Sequence, residues 1–265
     1  MAGILVESSG TIATLTIENT GKRNTLTAEM WLRLPEVLAE LASDPGVKVL
    51  VVRGACQDFS SGADIRDLAR ILHAPGMPDG GLATAAENAV AVFPKPTVAA
   101  IDGFCVGGGW QIAAACDIRI AADRAIFGIT PARIGIIYPL SGIQRLVSIV
   151  GLASAKYLLF SGELISSGHA VSLGMLAQVH PASELWTAVE SFAGMLASRS
   201  QLSIQAMKQL VHAIATGSDA VAISDAWQNE AAVSDDAGIG VAAFLAHEPP
   251  SFSWTGLGVV RRPVI

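Results

Sequence analysis

Two glycine-bearing turns are the segments of this chain best suited to bind and polarise a ligand. One is Phe59-Ser60-Ser61-Gly62-Ala63-Asp64-Ile65; the other is Gly103-Phe104-Cys105-Val106-Gly107-Gly108-Gly109-Trp110. Each follows an apolar run and opens a stretch of helical character. Glycine lets backbone approach a ligand closely, and the first N–H groups of a helix have no intrahelical acceptor. Two such groups aimed at one oxygen make an oxyanion hole, which stabilises negative charge as it develops on a carbonyl. Either turn alone reads first as a tight strand-to-helix connection, the commonest use of glycine, and only the two together point to a site.

Other chemistries lack their residues. There is no G-x-S-x-G nucleophile elbow and no G-x-x-x-x-G-K-[ST] phosphate loop. The segment 238–243 loosely matches a dinucleotide fingerprint, but it follows Ser234-Asp235-Asp236 rather than a strand and reads as helix packing. The five histidines show no ligand spacing, so no metal is expected. His169 and His247 read as exposed helix-end residues, His247 with the alternative of a place near a neighbouring subunit's ligand. Cys56, Cys105 and Cys116 form no C-x-x-C pair and are expected to be buried, reduced thiols.

The turns need a scaffold. Residues 12–17 alternate in polarity with the period of a half-buried strand. A helix is predicted from about Thr27, with Leu32, Leu34, Val37, Leu38 and Leu41 as its apolar face, ending at Asp44-Pro45-Gly46. The nearly all-apolar run 47–52 suits a strand covered on both faces. The phrase returns as helix 85–92, a break at Pro94-Lys95-Pro96, strand 97–101, glycines and a helix. A third pass gives 118–121, 125–127 and a helix near 141–150. Beyond about Ser183 only helices are predicted, at 184–198, 202–215, 219–233 and 237–246. A boundary near residue 195 divides an α/β core, 1–195, from a helical region, 196–265. The Gly/Pro-rich stretch 74–81 is the expected mobile loop.

Composition narrows the class. The chain has 265 residues, 51% apolar and 15% charged, with a mean hydropathy of +0.49. That balance excludes disorder and points to buried subunit contacts. A net charge of −6 argues against nucleic acid as a partner. No apolar stretch of bilayer length free of Gly, Pro or charge is read, and the start MAGILVESSG lacks a basic leader, so a cytoplasmic protein without a membrane partner is expected.

Taken in order, Lys22-Arg23-Asn24-Thr25-Leu26, FSSGADI, KPTVAAIDGFCVGGGWQIAAACDIRIAA and FGITPARIGIIYPLSGIQRL resemble the crotonase (enoyl-CoA hydratase/isomerase) superfamily. The resemblance spans nearly the whole chain, with a weaker match from Ala243-Phe244 to Phe252. It implies an α/β fold: a crotonase-like spiral of ββα turns with a C-terminal helical trimerisation region, assembled as a homotrimer or a dimer of trimers. It also implies an acyl-CoA substrate and no cofactor beyond the CoA that the substrate carries. The oxyanion donors would be the N–H groups of Ala63 and Gly108. Ser61, Gly62, Asp64 and Ile65 would hold the adenine and pantetheine end through backbone, and Thr130 and Pro131 would contact the substrate. Lys22 and Arg23 would lie near the CoA phosphates, unless they are an ordinary solvated pair. Asp64 most simply caps the helix that follows it.

The departures matter more for the reaction. Hydratases of this superfamily carry one Glu shortly after the triple-glycine turn and another in the segment beginning Phe-Gly. Here those positions hold Gln111 and Pro131. An amide is no general base and proline has nothing to titrate, so hydration by a carboxylate pair is disfavoured. Thr130-Pro131-Ala132, Gly135, Tyr138 and Leu140-Ser141-Gly142 resemble the methylmalonyl-CoA decarboxylase branch, where the tyrosine orients the leaving carboxylate. A site without carboxylates suits that reaction, because an acid would repel the substrate's own charge. Tyr138 would then orient or protonate and Gln111 would position by hydrogen bond, although Tyr138 also reads as a core aromatic. Two other readings stay open: a hydratase or isomerase using unusual groups, and a non-catalytic CoA-binding subunit.

Overall fold

The structure is a computed structural model that describes residues 2–77 and 79–256. The chain begins with strands β1 (Gly3–Ser9) and β2 (Ile12–Glu18), helix α1 (Ala28–Ser43) and strand β3 (Val49–Gly54). Helices α2 (Leu68–Leu72) and α3 (Gly81–Ala91) lead into strands β4 (Thr97–Ile101) and β5 (Phe104–Val106), then helix α4 (Gly108–Ala115). Strands β6 (Ile118–Ala122) and β7 (Ile126–Gly128) precede helix α5 (Leu140–Ser161), strand β8 (Leu164–Ser166), helix α6 (Ser167–Ser172) and strand β9 (Gln178–His180). Four helices follow: α7 (Leu185–Ala197), α8 (Gln201–Thr216), α9 (Ala220–Ala232) and α10 (Asp236–Ala246).

Six strands form one sheet in the order β1-β2-β3-β4-β6-β9. Only β1 runs antiparallel to its neighbour; β2 to β9 pair in parallel. The period of two explains why the central strands are apolar throughout. Leu50, Val52, Ala99, Ile101 and Ala121 face the main core with α1, α3 and α4, whereas Val49, Val51, Val98, Ala100, Ile120 and Ala122 face Leu185, Val189 and Ala193 of α7. A smaller sheet, β5-β7-β8, stands apart and carries the second glycine turn.

Thr27 caps α1 by accepting from the Met30 N–H. Leu34, Val37, Leu38 and Leu41 are buried, but Leu32 is 42% exposed and departs from the expected apolar face. At 100° per residue it lies about 200° from Leu34, so Met30 and Trp31 fill the face instead. The helix expected at 141–150 is only the first half of α5. Gly151, at φ 75 and ψ 170, kinks the chain there and the helix resumes to Ser161. α5 is long and apolar enough by length and composition to suit a bilayer, yet its Arg145 is paired inside the fold with buried Glu87. The four C-terminal helices stand where the sequence places them, and α7 runs through residue 195.

Candidate active site

The two glycine turns are zipped together by backbone. Ser60 N–H donates to Phe104 O (2.8 Å) and Val106 N–H returns to Ser60 O (3.0 Å), so the first turn continues the edge of β5. Lys22–Leu26 lies on the other side: Ser61 N–H donates to Arg23 O, Leu26 N–H to Gly62 O and Asp64 N–H to Leu26 O, each at 2.9 Å. Asn24 locks this segment by donating to Ala55 O (2.8 Å) and Asp58 O (2.7 Å). The motif Lys22-Arg23-Asn24-Thr25-Leu26 is therefore a strap that holds the turn in place.

The turns approach so closely that side chains are excluded between them. A methyl group at Gly62, where φ is +102, would lie 2.9 Å from Val106 O and 3.1 Å from Gly108 N. One at Gly108 would lie 3.3 Å from Ala63 N and 2.9 Å from Trp31 Cζ2. Gly108 is the first residue of α4, where an N–H has no intrahelical acceptor. Among the described residues, no hydrogen bond uses the N–H of Ala63 or of Gly108. Two free donors thus stand side by side, both opening on one cleft, as an oxyanion hole requires.

That cleft has a volume of about 160 Å³ and is lined by Ser61, Gly62, Ala63, Ile65, Gly108, Gln111, Thr130, Pro131 and Tyr138, together with Trp31 and aliphatic residues from α2, α3 and the segment before α5. Among the described residues, no Asp, Glu, His, Lys, Arg or Cys lines it. Tyr138 is 6% exposed, and its hydroxyl donates to Gly107 O at 3.1 Å. Gly142 makes room for the ring, since a methyl there would meet Tyr138 Cε1 at 2.7 Å. Burial, reinforced by Glu87, pushes the phenol well above its ordinary value, so Tyr138 stays protonated and serves as a donor.

A carboxylate that the sequence reading did not single out stands just outside the cleft lining. Glu87 of α3 is fully buried directly behind Gln111. Its Oε2 accepts from Gln111 Nε2 (2.7 Å) and Ser141 Oγ (2.8 Å), and its Oε1 from Arg145 Nε (2.8 Å). The available signal was an acid among Leu82, Ala83, Ala86 and Val90 on the apolar face of a helix, where an unpaired charge is costly.

Three further residues lie outside the cleft lining. Lys22 Nζ is 3.8 Å from Asp64 Oδ2, and the Arg23 guanidinium sits over the Phe104 ring, 4.1 Å from its centre. Asp64 caps the short 3-10 turn that follows, accepting from Arg66 N–H and from the Arg66 guanidinium. Those bonds lower its pKa to about 2, so it is an anion at neutral pH. Of the cysteines expected to be buried, Cys105 and Cys116 are, but Cys56 is exposed, at φ 57 in the turn after β3.

Known proteins resemble this chain in sequence and fold. The sequence model of the family described as enoyl-CoA hydratase/isomerase matches residues 7–255. A solved structure of an enoyl-CoA hydratase/isomerase family member is 41% identical, covers 96% of this chain and 98% of its own, and superposes with a TM-score of 0.91. A probable enoyl-CoA hydratase of Bacillus subtilis is 32% identical over 248 residues, 91% of this chain and 95% of its own length. The 2,3-dehydroadipyl-CoA hydratase of Escherichia coli is 29% identical over 258 residues, 95% of this chain and 99% of its own. With its zipped turns, free N–H pair and matching extent, this chain belongs to the enoyl-CoA hydratase/isomerase family, within the crotonase superfamily.

Proposed function

We propose that this protein decarboxylates a malonyl-type CoA thioester, using Ala63 and Gly108 to hold the enolate that forms. The observation that carries this reading is a cleft lined, among the described residues, by no carboxylate, imidazole, amine, guanidinium or thiol, beside two unpaired N–H donors. In the reaction the bond between Cα and the carboxyl carbon breaks and CO2 departs. Its electron pair moves into the Cα–C1 bond and onto the thioester oxygen, which Ala63 and Gly108 receive. The enolate then takes a solvent proton at Cα. Tyr138, kept neutral by burial, turns its hydroxyl from Gly107 to the substrate carboxylate and aligns it for departure. Release of CO2 from malonyl-type esters, compared with hydration of 2-enoyl esters, tests the assignment.

A second reading has its own support. Glu87 stands one side chain behind the cleft, against Gln111, and two of the relatives named above are described as a probable enoyl-CoA hydratase and a 2,3-dehydroadipyl-CoA hydratase. In that reading a water held at Gln111 adds to an enoyl-CoA. Hydration by the natural protein with no CO2 release would favour it.

Assembly belongs to the same proposal. Met207, Val211, Ile214, Val221, Val233, Val241, Phe244 and Leu245 are exposed on α8, α9 and α10 or directly beside them. We place these faces at the contacts of a trimer or a dimer of trimers. Light scattering is expected to give a mass three or six times that of the chain; a monomer at micromolar concentration would contradict it.

A further inference from the structure

We propose that Glu87 is a positioning residue: it locks the Gln111 amide with its carbonyl oxygen facing the cleft, so that the site destabilises a bound carboxylate until CO2 leaves. The inference rests on the decarboxylation reading for its consequence, but not for its geometry.

The geometry follows from what a carboxylate can accept. Glu87 is fully buried, and its two oxygens take hydrogen bonds from Arg145, Ser141 and Gln111. An ionised carboxylate only accepts, so the Gln111 atom facing it must be the NH2. Turning the amide over would bring two acceptors together in a dry interior, a costly arrangement. Gln111 Nε2 is therefore spent on Glu87. Its Oε1 has no partner among the hydrogen bonds of the described residues, and Gln111 lines the cleft. Gln111 also follows Gly108 by three residues on α4, which puts its side chain on the same face as the oxyanion donor, about 4.5 Å along the axis.

The cleft consequently has unlike walls. Tyr138 brings a donor, Gly108 and Ala63 bring donors for the thioester oxygen, and Gln111 brings an acceptor. A carboxylate on Cα is drawn to Tyr138 and repelled by the Gln111 carbonyl dipole. That repulsion acts on the ground state and fades as charge moves to the thioester oxygen, so it lowers the barrier while weakening substrate binding. Gln111 touches the reacting part of the substrate; Glu87 acts through it.

Glu87→Gln tests this sharply, because it should reverse the Gln111 amide. The amide introduced by the substitution has a single oxygen, which Arg145 would claim. Its NH2 would then face Gln111, drawing the Gln111 carbonyl oxygen inward and forcing the Gln111 NH2 into the cleft. A donor then replaces the acceptor. In steady-state assays with malonyl-CoA, KM and kcat are both expected to fall, each by about tenfold, the signature of relieved ground-state strain. By calorimetry the variant should bind malonyl-CoA about tenfold tighter than the natural protein and butyryl-CoA within about twofold of it. Gln111→Leu, which keeps the Glu87–Arg145 pair, should shift malonyl-CoA binding the same way but less, and it decides the matter should Glu87→Gln not fold. Unchanged or weaker malonyl-CoA binding in the folded variant would overturn the proposal. Failure of the natural protein to release CO2 defeats the decarboxylation reading and the catalytic consequence with it, while the binding comparison still decides the amide orientation.

Discussion

Replacing Gly108 with proline is expected to lower turnover of an accepted acyl-CoA by about 100-fold or more, because it deletes one of two oxyanion donors. Proline suits the first position of a helix, so α4 should survive the change. The substitution also adds bulk, and a Cβ at this position meets Trp31 Cζ2 at 2.9 Å. Gly108→Ala separates the two effects, since it carries the same Cβ and keeps the N–H. Turnover of Gly108→Ala well above that of Gly108→Pro, with matching circular dichroism, is the expected result. Equal losses in both would mean that crowding, not the donor, is responsible.

Tyr138→Phe is expected to cost at least tenfold in decarboxylation, with CoA affinity close to that of the natural protein, because only the phenolic donor is lost. The ring fills the space that Gly142 leaves, so its removal rather than its hydroxyl would damage packing. The hydroxyl donates to Gly107 O, next to the Gly108 donor. A phenylalanine leaves that carbonyl with the Gln111 N–H (3.0 Å) as its remaining donor, and thermal melting measures how much the lost bond matters to the fold. Because burial keeps the phenol protonated, the tyrosine itself should introduce no ionisation into the rate profile across neutral pH. Full activity in Tyr138→Phe would remove this residue from the reaction and favour the hydration reading.

What was legible in the sequence was what local pattern determines. The period of two in residues 12–17 and the unbroken apolar runs announced the central strands, and glycines between strand and helix announced the two turns. Gln111 and Pro131 could be picked out because they break an otherwise strong motif. Glu87 could not, since its meaning lies in Gln111, Ser141 and Arg145, which are 24, 54 and 58 residues away. The same limit hid the role of Asn24, whose partners Ala55 and Asp58 are 31 and 34 residues distant. Strands β8 and β9, three residues each, are too short to show a period, and their existence depends on the edges they join. Gly151 reads as a helix end, yet the helix resumes beyond it because Ala155 and Leu158 return to the core. Cys56 departs from the expected burial because burial is a habit of free cysteine and not a rule; it sits at positive φ on an exposed turn.

The most direct test is mass spectrometry of 2-enoyl-, 3-enoyl- and malonyl-type CoA esters incubated with the natural protein in D2O. The expected result is loss of CO2 from a malonyl-type ester with one deuteron gained at Cα, and no addition of water to the 2-enoyl ester. Addition of water to the 2-enoyl ester, with the malonyl-type ester left intact, would contradict it.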